Sequence, residues 1–166
     1  MDIKPWLAFI HILAVFGFLA IHGISMGVLF RVRKERDRGR LAALLEFSAL
    51  YAGAMYAFLL ALLVSGIASG IAGGWWTNGQ LWLWVSLVLF IVIAGAMYGL
   101  STVPFVAMRS GLGIPSLQDR KKGIMPTPVS DEELALLLAS PRPVYGAALG
   151  VAGIVVITWL MMAKPF

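Results

Sequence analysis

Long uncharged apolar runs dominate this chain: residues 5–30, 47–108 and 143–163 contain no Asp, Glu, Lys or Arg, and charge collects between them. A helix crosses a bilayer with about 20 apolar residues, and about 18 uncharged ones already qualify. The run at 47–108 is therefore too long for a single crossing. It breaks at Gly73-Gly74-Trp75-Trp76-Thr77-Asn78-Gly79-Gln80, where turn-forming residues meet two tryptophans suited to the headgroup layer. The pattern predicts an all-α bundle of four transmembrane helices at about 6–30, 44–72, 81–108 and 144–163, in one integral membrane domain. A transmembrane barrel would need alternating segments of about ten residues, which the chain lacks.

The connections differ sharply in charge. The 31–43 connection carries Arg31, Arg33, Lys34, Arg36, Arg38 and Arg40 against Glu35 and Asp37; the 109–143 connection adds Arg109, Arg120, Lys121, Lys122 and Arg142. The opposite ends offer only Lys4, Lys164 and an uncharged 73–80 turn. Basic connections stay in the cytoplasm, so both termini are expected outside it, in the cell (inner or plasma) membrane. Glycines and prolines make 109–129 irregular, and then Ser130-Asp131-Glu132-Glu133 predicts a capping box opening a short helix over Leu134–Ala139. Its leucines would rest on the membrane face or the bundle end, or dock a partner.

Composition agrees with the pattern: 60% of residues are hydrophobic and 13% charged, against roughly 25% charged in soluble domains. Topology and anionic headgroups account for the net charge of +5, so the partner it implies is the lipid bilayer and not nucleic acid. The first apolar run exceeds the roughly 7–15 residues of a signal-peptide core, and its basic cluster follows it; it reads as a retained span. Without cysteine, disulfides, iron–sulfur clusters and thiolate haem ligation are excluded.

Internal similarity hints at two tandem helical hairpins. Ala20-Ile21-His22-Gly23-Ile24-Ser25 aligns with Ala96-Met97-Tyr98-Gly99-Leu100-Ser101, and Tyr51-Ala52-Gly53-Ala54-Met55 with Tyr145-Gly146-Ala147-Ala148-Leu149. Glycines four apart, at Gly23/Gly27, Gly66/Gly70, Gly95/Gly99 and Gly146/Gly150, allow close backbone approach. They serve either the bundle core or a face that docks a second copy or a larger membrane complex.

Chemistry within the spans rests on few residues. His11 and His22 share one face of the first helix, about 16 Å apart along its axis, too far to ligate one metal ion together. Counting residues inward from the basic ends brings His22, Met26, Met55, Met97 and Tyr98 to a similar depth. Histidine with methionine suits haem and also Cu(I). His11, His22, Met55 and Met97 are thus candidate cofactor ligands, and His11, His22 and Met26 candidate metal ligands. The structural alternative has His22 bonded to Tyr98 and His11 to a hydroxyl such as Ser65, Ser86 or Thr158, with methionines filling gaps. Glu46 is expected to pair with a basic residue of 31–40, or to admit protons.

Phe9-Ile10-His11-Ile12-Leu13-Ala14-Val15-Phe16, followed by an apolar run into Leu29-Phe30-Arg31, resembles the first helix of small bacterial membrane proteins. These are the HemJ protoporphyrinogen-oxidase type, the CopD copper-resistance type and an uncharacterised domain family related to them. Ser65-Gly66 and the Trp-rich turn resemble the uncharacterised family best. The resemblance implies a four-helix bundle whose His11 binds b-type haem. HemJ chemistry would also want an intramembrane lysine, and none stands between 47 and 108; no methionine-rich outer loop supports copper handling. The expected function is intramembrane electron transfer through haem b, with a non-catalytic accessory subunit and a copper-handling transporter as alternatives. With two histidines, a bis-histidine haem at His11 would require a homodimer. Nothing points to catalysis: there is no cysteine nucleophile, acid pair within the bundle or phosphate-cradling loop.

Overall fold

The computed structural model describes residues 2–77 and 79–165 and contains four helices long and apolar enough to cross a membrane. In chain order the elements are α1 (Lys4–Val32), α2 (Arg38–Leu50), α3 (Ala52–Gly73), α4 (Leu81–Met97), a π-helical turn (Tyr98–Thr102), α5 (Val103–Gly111), α6 (Leu117–Lys122), α7 (Asp131–Ala139) and α8 (Arg142–Ala163). No strand occurs among the described residues. The fold is the all-α membrane bundle that the apolar runs predict.

Local chemistry sets the boundaries. Pro5 lies in the first turn of α1, where its missing N–H costs nothing. Asp37 caps α2 by accepting from the Arg40 amide at 2.8 Å, so the helix begins well before residue 44. The predicted 31–43 connection is consequently mostly helical. α3 ends at Gly74 in the left-handed conformation (φ 67°), and Trp75 N–H reaches back to the Gly70 carbonyl at 3.0 Å. Pro104 has no amide, and a proline ring crowds the carbonyl four residues earlier, here that of Leu100. The helix widens there into the π-turn, with Val103 N–H bonded to the Tyr98 carbonyl.

α1 lies along α3, and α4 along α8, so each apolar helix packs with its hairpin partner. The pairs meet lightly, through α1 with α8 and α2 with α5, which leaves room between them. Leu13, Phe16, Ile91, Val92 and Trp159 stand exposed on the outside, as residues facing lipid tails would.

The basic end is closed by a core of Val28, Val32, Leu41, Leu45, Met108, Leu134 and Leu138. Leu134 and Leu138, one turn apart, turn α7 onto the bundle end, while Leu136 stays exposed. Ser130 accepts from the Glu133 amide at 3.2 Å, but no return bond from Glu133 completes the predicted box. The complete capping box is at Ser116 and Asp119, opening α6 inside the stretch expected to be irregular. Two residues of the basic cluster hold this end together. Arg38 Nη2 donates to the Val129 carbonyl at 2.7 Å and pairs with Asp131, and Arg33 donates to the Ser140 carbonyl.

The glycine pairs divide. A Cβ on Gly66 or Gly70 would meet His11 or Trp76, and one on Gly146 or Gly150 would meet Ser101 or Met97. Gly23, Gly27, Gly95 and Gly99 have nothing within 4 Å of that position and face outward.

Candidate functional site

Two cavities occupy the space between the helix pairs; His11 lines only the smaller, and His22 lines both. The smaller, of about 150 Å³, lies toward the tryptophan end and is lined by His11 among apolar neighbours from α1, α3, α4 and α8. The larger, of about 660 Å³, lies toward the basic end and is lined by Met26, Met55, Tyr98, Glu46 and Arg109. His22, Phe18, Leu59, Ala94 and Met97 line both, so the cavities adjoin at His22 and Met97.

His11 is anchored. Its Nδ1 lies 2.9 Å from Ser65 Oγ, and its ring rests on Gly66. The Ser65 hydroxyl proton goes back to the Ala61 carbonyl of its own helix. Ser65 Oγ must then accept, which assigns the proton to His11 Nδ1 and the lone pair to Nε2. A neutral ring with one nitrogen tied down and the other bearing a lone pair is the usual state of a ligating histidine. The same arrangement also satisfies a purely structural one.

His22 is buried, and its ring stacks on Phe18 at a centroid distance of 5.6 Å and an interplanar angle of 11°. Its Nε2 is fully buried and has no hydrogen-bond partner among the described residues. Leaving such an atom unsatisfied costs about 1–3 kcal/mol. The expected bond to Tyr98 does not form: Tyr98 lies on the π-turn, is 59% exposed, and reaches the cavity wall without meeting the imidazole. The ring turns instead toward Gly150, where a Cβ would stand 3.2 Å from Nε2 and 3.0 Å from both Sδ and Cε of Met97. The imidazole and the thioether thus share a cradle that exists only because position 150 has no side chain.

Met26, Met55 and Tyr98 line the larger cavity along with His22 and Met97. Among the described residues Ser69 Oγ is the other buried unpartnered side-chain atom, and it lines neither cavity. No group of three His, Asp or Glu side chains able to hold a metal forms among the described residues.

Glu46 does not pair with the 31–40 cluster, whose ion pairs are Arg31–Glu35 and Arg38–Asp131. It stands instead at the larger cavity's mouth with Arg109 and Arg120. The Arg109 Nη1 donates to the Leu45 carbonyl at 3.3 Å. Sequence reasoning treated Arg109 only as a topological charge and did not single out Phe18. Their signals were a span-end arginine and an aromatic four residues before a histidine.

Compared with known protein families, curated proteins and solved structures, the chain matches none.

Proposed function

We propose that this chain is a multi-pass protein of the cell (inner or plasma) membrane, both termini outside the cytoplasm, that binds b-type haem for electron transfer within the bilayer. The unpartnered Nε2 of His22, beside the Met97 thioether over Gly150, carries this reading. Histidine and methionine are a known axial pair for haem. The larger cavity, about 660 Å³, falls within the roughly 300–1,000 Å³ of cofactor pockets, whereas the smaller one at about 150 Å³ does not. His22 and Met97 would therefore hold the haem, with Met26 and Met55 in the surrounding wall, and His11 would tie α1 to α3.

When bound, the haem iron supplies one-electron chemistry. The chain's own part is to present two neutral donors, to stack Phe18 behind one of them, and to exclude water with apolar walls. The test is an absorption spectrum of the detergent-purified protein, oxidised and dithionite-reduced, with haem quantified per chain. A Soret band that shifts on reduction and is lost in His22→Ala supports the reading; no haem from haem-supplied cells overturns it.

A second reading, a non-catalytic subunit of a membrane complex, has one observation in its favour. Gly23, Gly27, Gly95 and Gly99 face outward with open space before them, the arrangement by which membrane helices approach one another closely. Solitary behaviour in mild detergent would count against it.

A further inference from the structure

Charge is confined to one end of the larger cavity. Glu46, Arg109 and Arg120 are the charged residues on its wall. From Phe18, Leu59 and Ala94 onward the wall has no Asp, Glu, Lys or Arg and leads into the smaller cavity, where His11, His22, Ser86 and Thr158 interrupt an apolar lining. Arg109 is only half-buried, and it makes no ion pair within 4 Å among the described residues. A guanidinium carries five N–H donors in a planar fork suited to carboxylates, and here Nη1 donates to the Leu45 carbonyl. Glu46 and Arg120 share the cavity wall with Arg109.

The geometry points to Arg109 as the anchor for the acid groups of the cavity's ligand, with Arg120 beside it. This rests on the haem reading and deepens it: Arg109 and Arg120 would hold the two propionates at the basic end, and the apolar wall at Phe18 and Leu59 would take the edge that carries no acid groups. Twelve residues separate Met97 from Arg109, about 18 Å of helix axis, and helical side chains tilt back toward the N-terminus. A molecule reaching from Met97 toward Arg109 must span much of the larger cavity, with its acid groups at the charged end.

The experiment compares haem b with its dimethyl ester, titrated by Soret absorbance into ligand-free protein in detergent. Wild-type protein should bind the free acid about ten- to a hundredfold more tightly than the ester, as expected of charge-assisted hydrogen bonds. Arg109→Gln should remove that preference by weakening the acid alone, Arg109→Lys should keep part of it, and exposed Arg142→Gln should leave it intact. Equal affinity of wild-type protein for acid and ester overturns the inference and leaves the haem reading standing; this comparison needs no variant to fold. So does an Arg109→Gln variant that loses both ligands equally while keeping its helical circular dichroism. A wild-type protein that binds neither porphyrin overturns both. A retained anionic phospholipid found by mass spectrometry, without haem and lost in Arg109→Gln, overturns haem as the occupant.

Discussion

Gly150→Ala separates packing from ligand binding at the cradle that His22 and Met97 share. The added Cβ would stand 3.0 Å from Met97 Sδ and Cε and 3.2 Å from His22 Nε2. Comfortable carbon contacts lie at about 3.5–4.0 Å, so roughly half an ångström has to be found. Methionine is adaptable and can supply much of it; His22, stacked flat on Phe18, can move only by giving up that contact. Overpacking usually costs about 1–3 kcal/mol, and a yielding thioether keeps this case near ~1 kcal/mol. Alanine also gains about 1 kcal/mol over glycine within a helix. The two effects nearly cancel, so the ligand-free variant should unfold in detergent at close to the wild-type temperature. Haem affinity has no such compensation, because the methyl fills the cradle shared by the two donors, and a loss of about tenfold (~1.4 kcal/mol) is expected. Gly23→Ala is the control: its Cβ meets nothing within 4 Å, so it should gain stability and keep full affinity. Wild-type haem affinity and spectrum in Gly150→Ala would refute the reasoning that Nε2 and the thioether receive a ligand at that point.

Other expectations follow from the rest of the fold. Ser65→Ala leaves His11 Nδ1 without its hydroxyl and should destabilise the protein by about 1–3 kcal/mol; in a double-mutant cycle, His11→Phe should remove most of that loss. Leu138→Ala, at a position 4% exposed under α7, should cost about 2–5 kcal/mol in thermal unfolding. Arg38→Ala frees α7 from both the Asp131 carboxylate and the Val129 carbonyl. Since the ion pair is exposed, global stability should change by under about 1 kcal/mol, and faster amide exchange over residues 129–139 is the sensitive readout. The Asp119 carboxyl is held below its ordinary value by the Ser116 hydroxyl first, then the Ser116 amide, with Lys122 adding to both. A depressed folded value means the α6 cap contributes fully above the ordinary carboxylate range and is lost as pH falls through the lowered one. Carbon-detected NMR should show Asp119 titrating at lower pH than a free aspartate, and Ser116→Ala should move it upward.

The spans were legible because lipid leaves little choice: backbone must close its hydrogen bonds internally, and about 20 apolar residues do so as a helix. Their inner ends were less so. Arg38 and Arg40 are good helix formers, and the Asp37 cap carries α2 into a stretch that charge alone marks as a connection. That His22, Met26, Met55 and Met97 line one cavity accords with their depth, which a residue count from each basic end measures. Which histidine would be left unsatisfied did not follow. It depends on what the neighbouring helix presents: Ser65 of α3 faces His11, whereas bare Gly150 of α8 faces His22. The glycine pairs make the same point. In sequence all four look alike, and helices apolar on every side carry no stripe to fix their rotation, so only packing shows that two pairs turn inward and two outward. Glu46 and Arg109 were hidden by their position at the ends of spans, where charge is expected on topological grounds alone; the cavity between the helix pairs gives them a shared mouth.

The most direct test of the central claim is the reduced-minus-oxidised absorption spectrum of the purified protein and of two variants, with haem counted per chain. The account predicts stoichiometric, reducible haem in the wild type, retained in His11→Ala and lost in His22→Ala. Haem retained in His22→Ala and lost in His11→Ala, or no haem in any of the three, would contradict it.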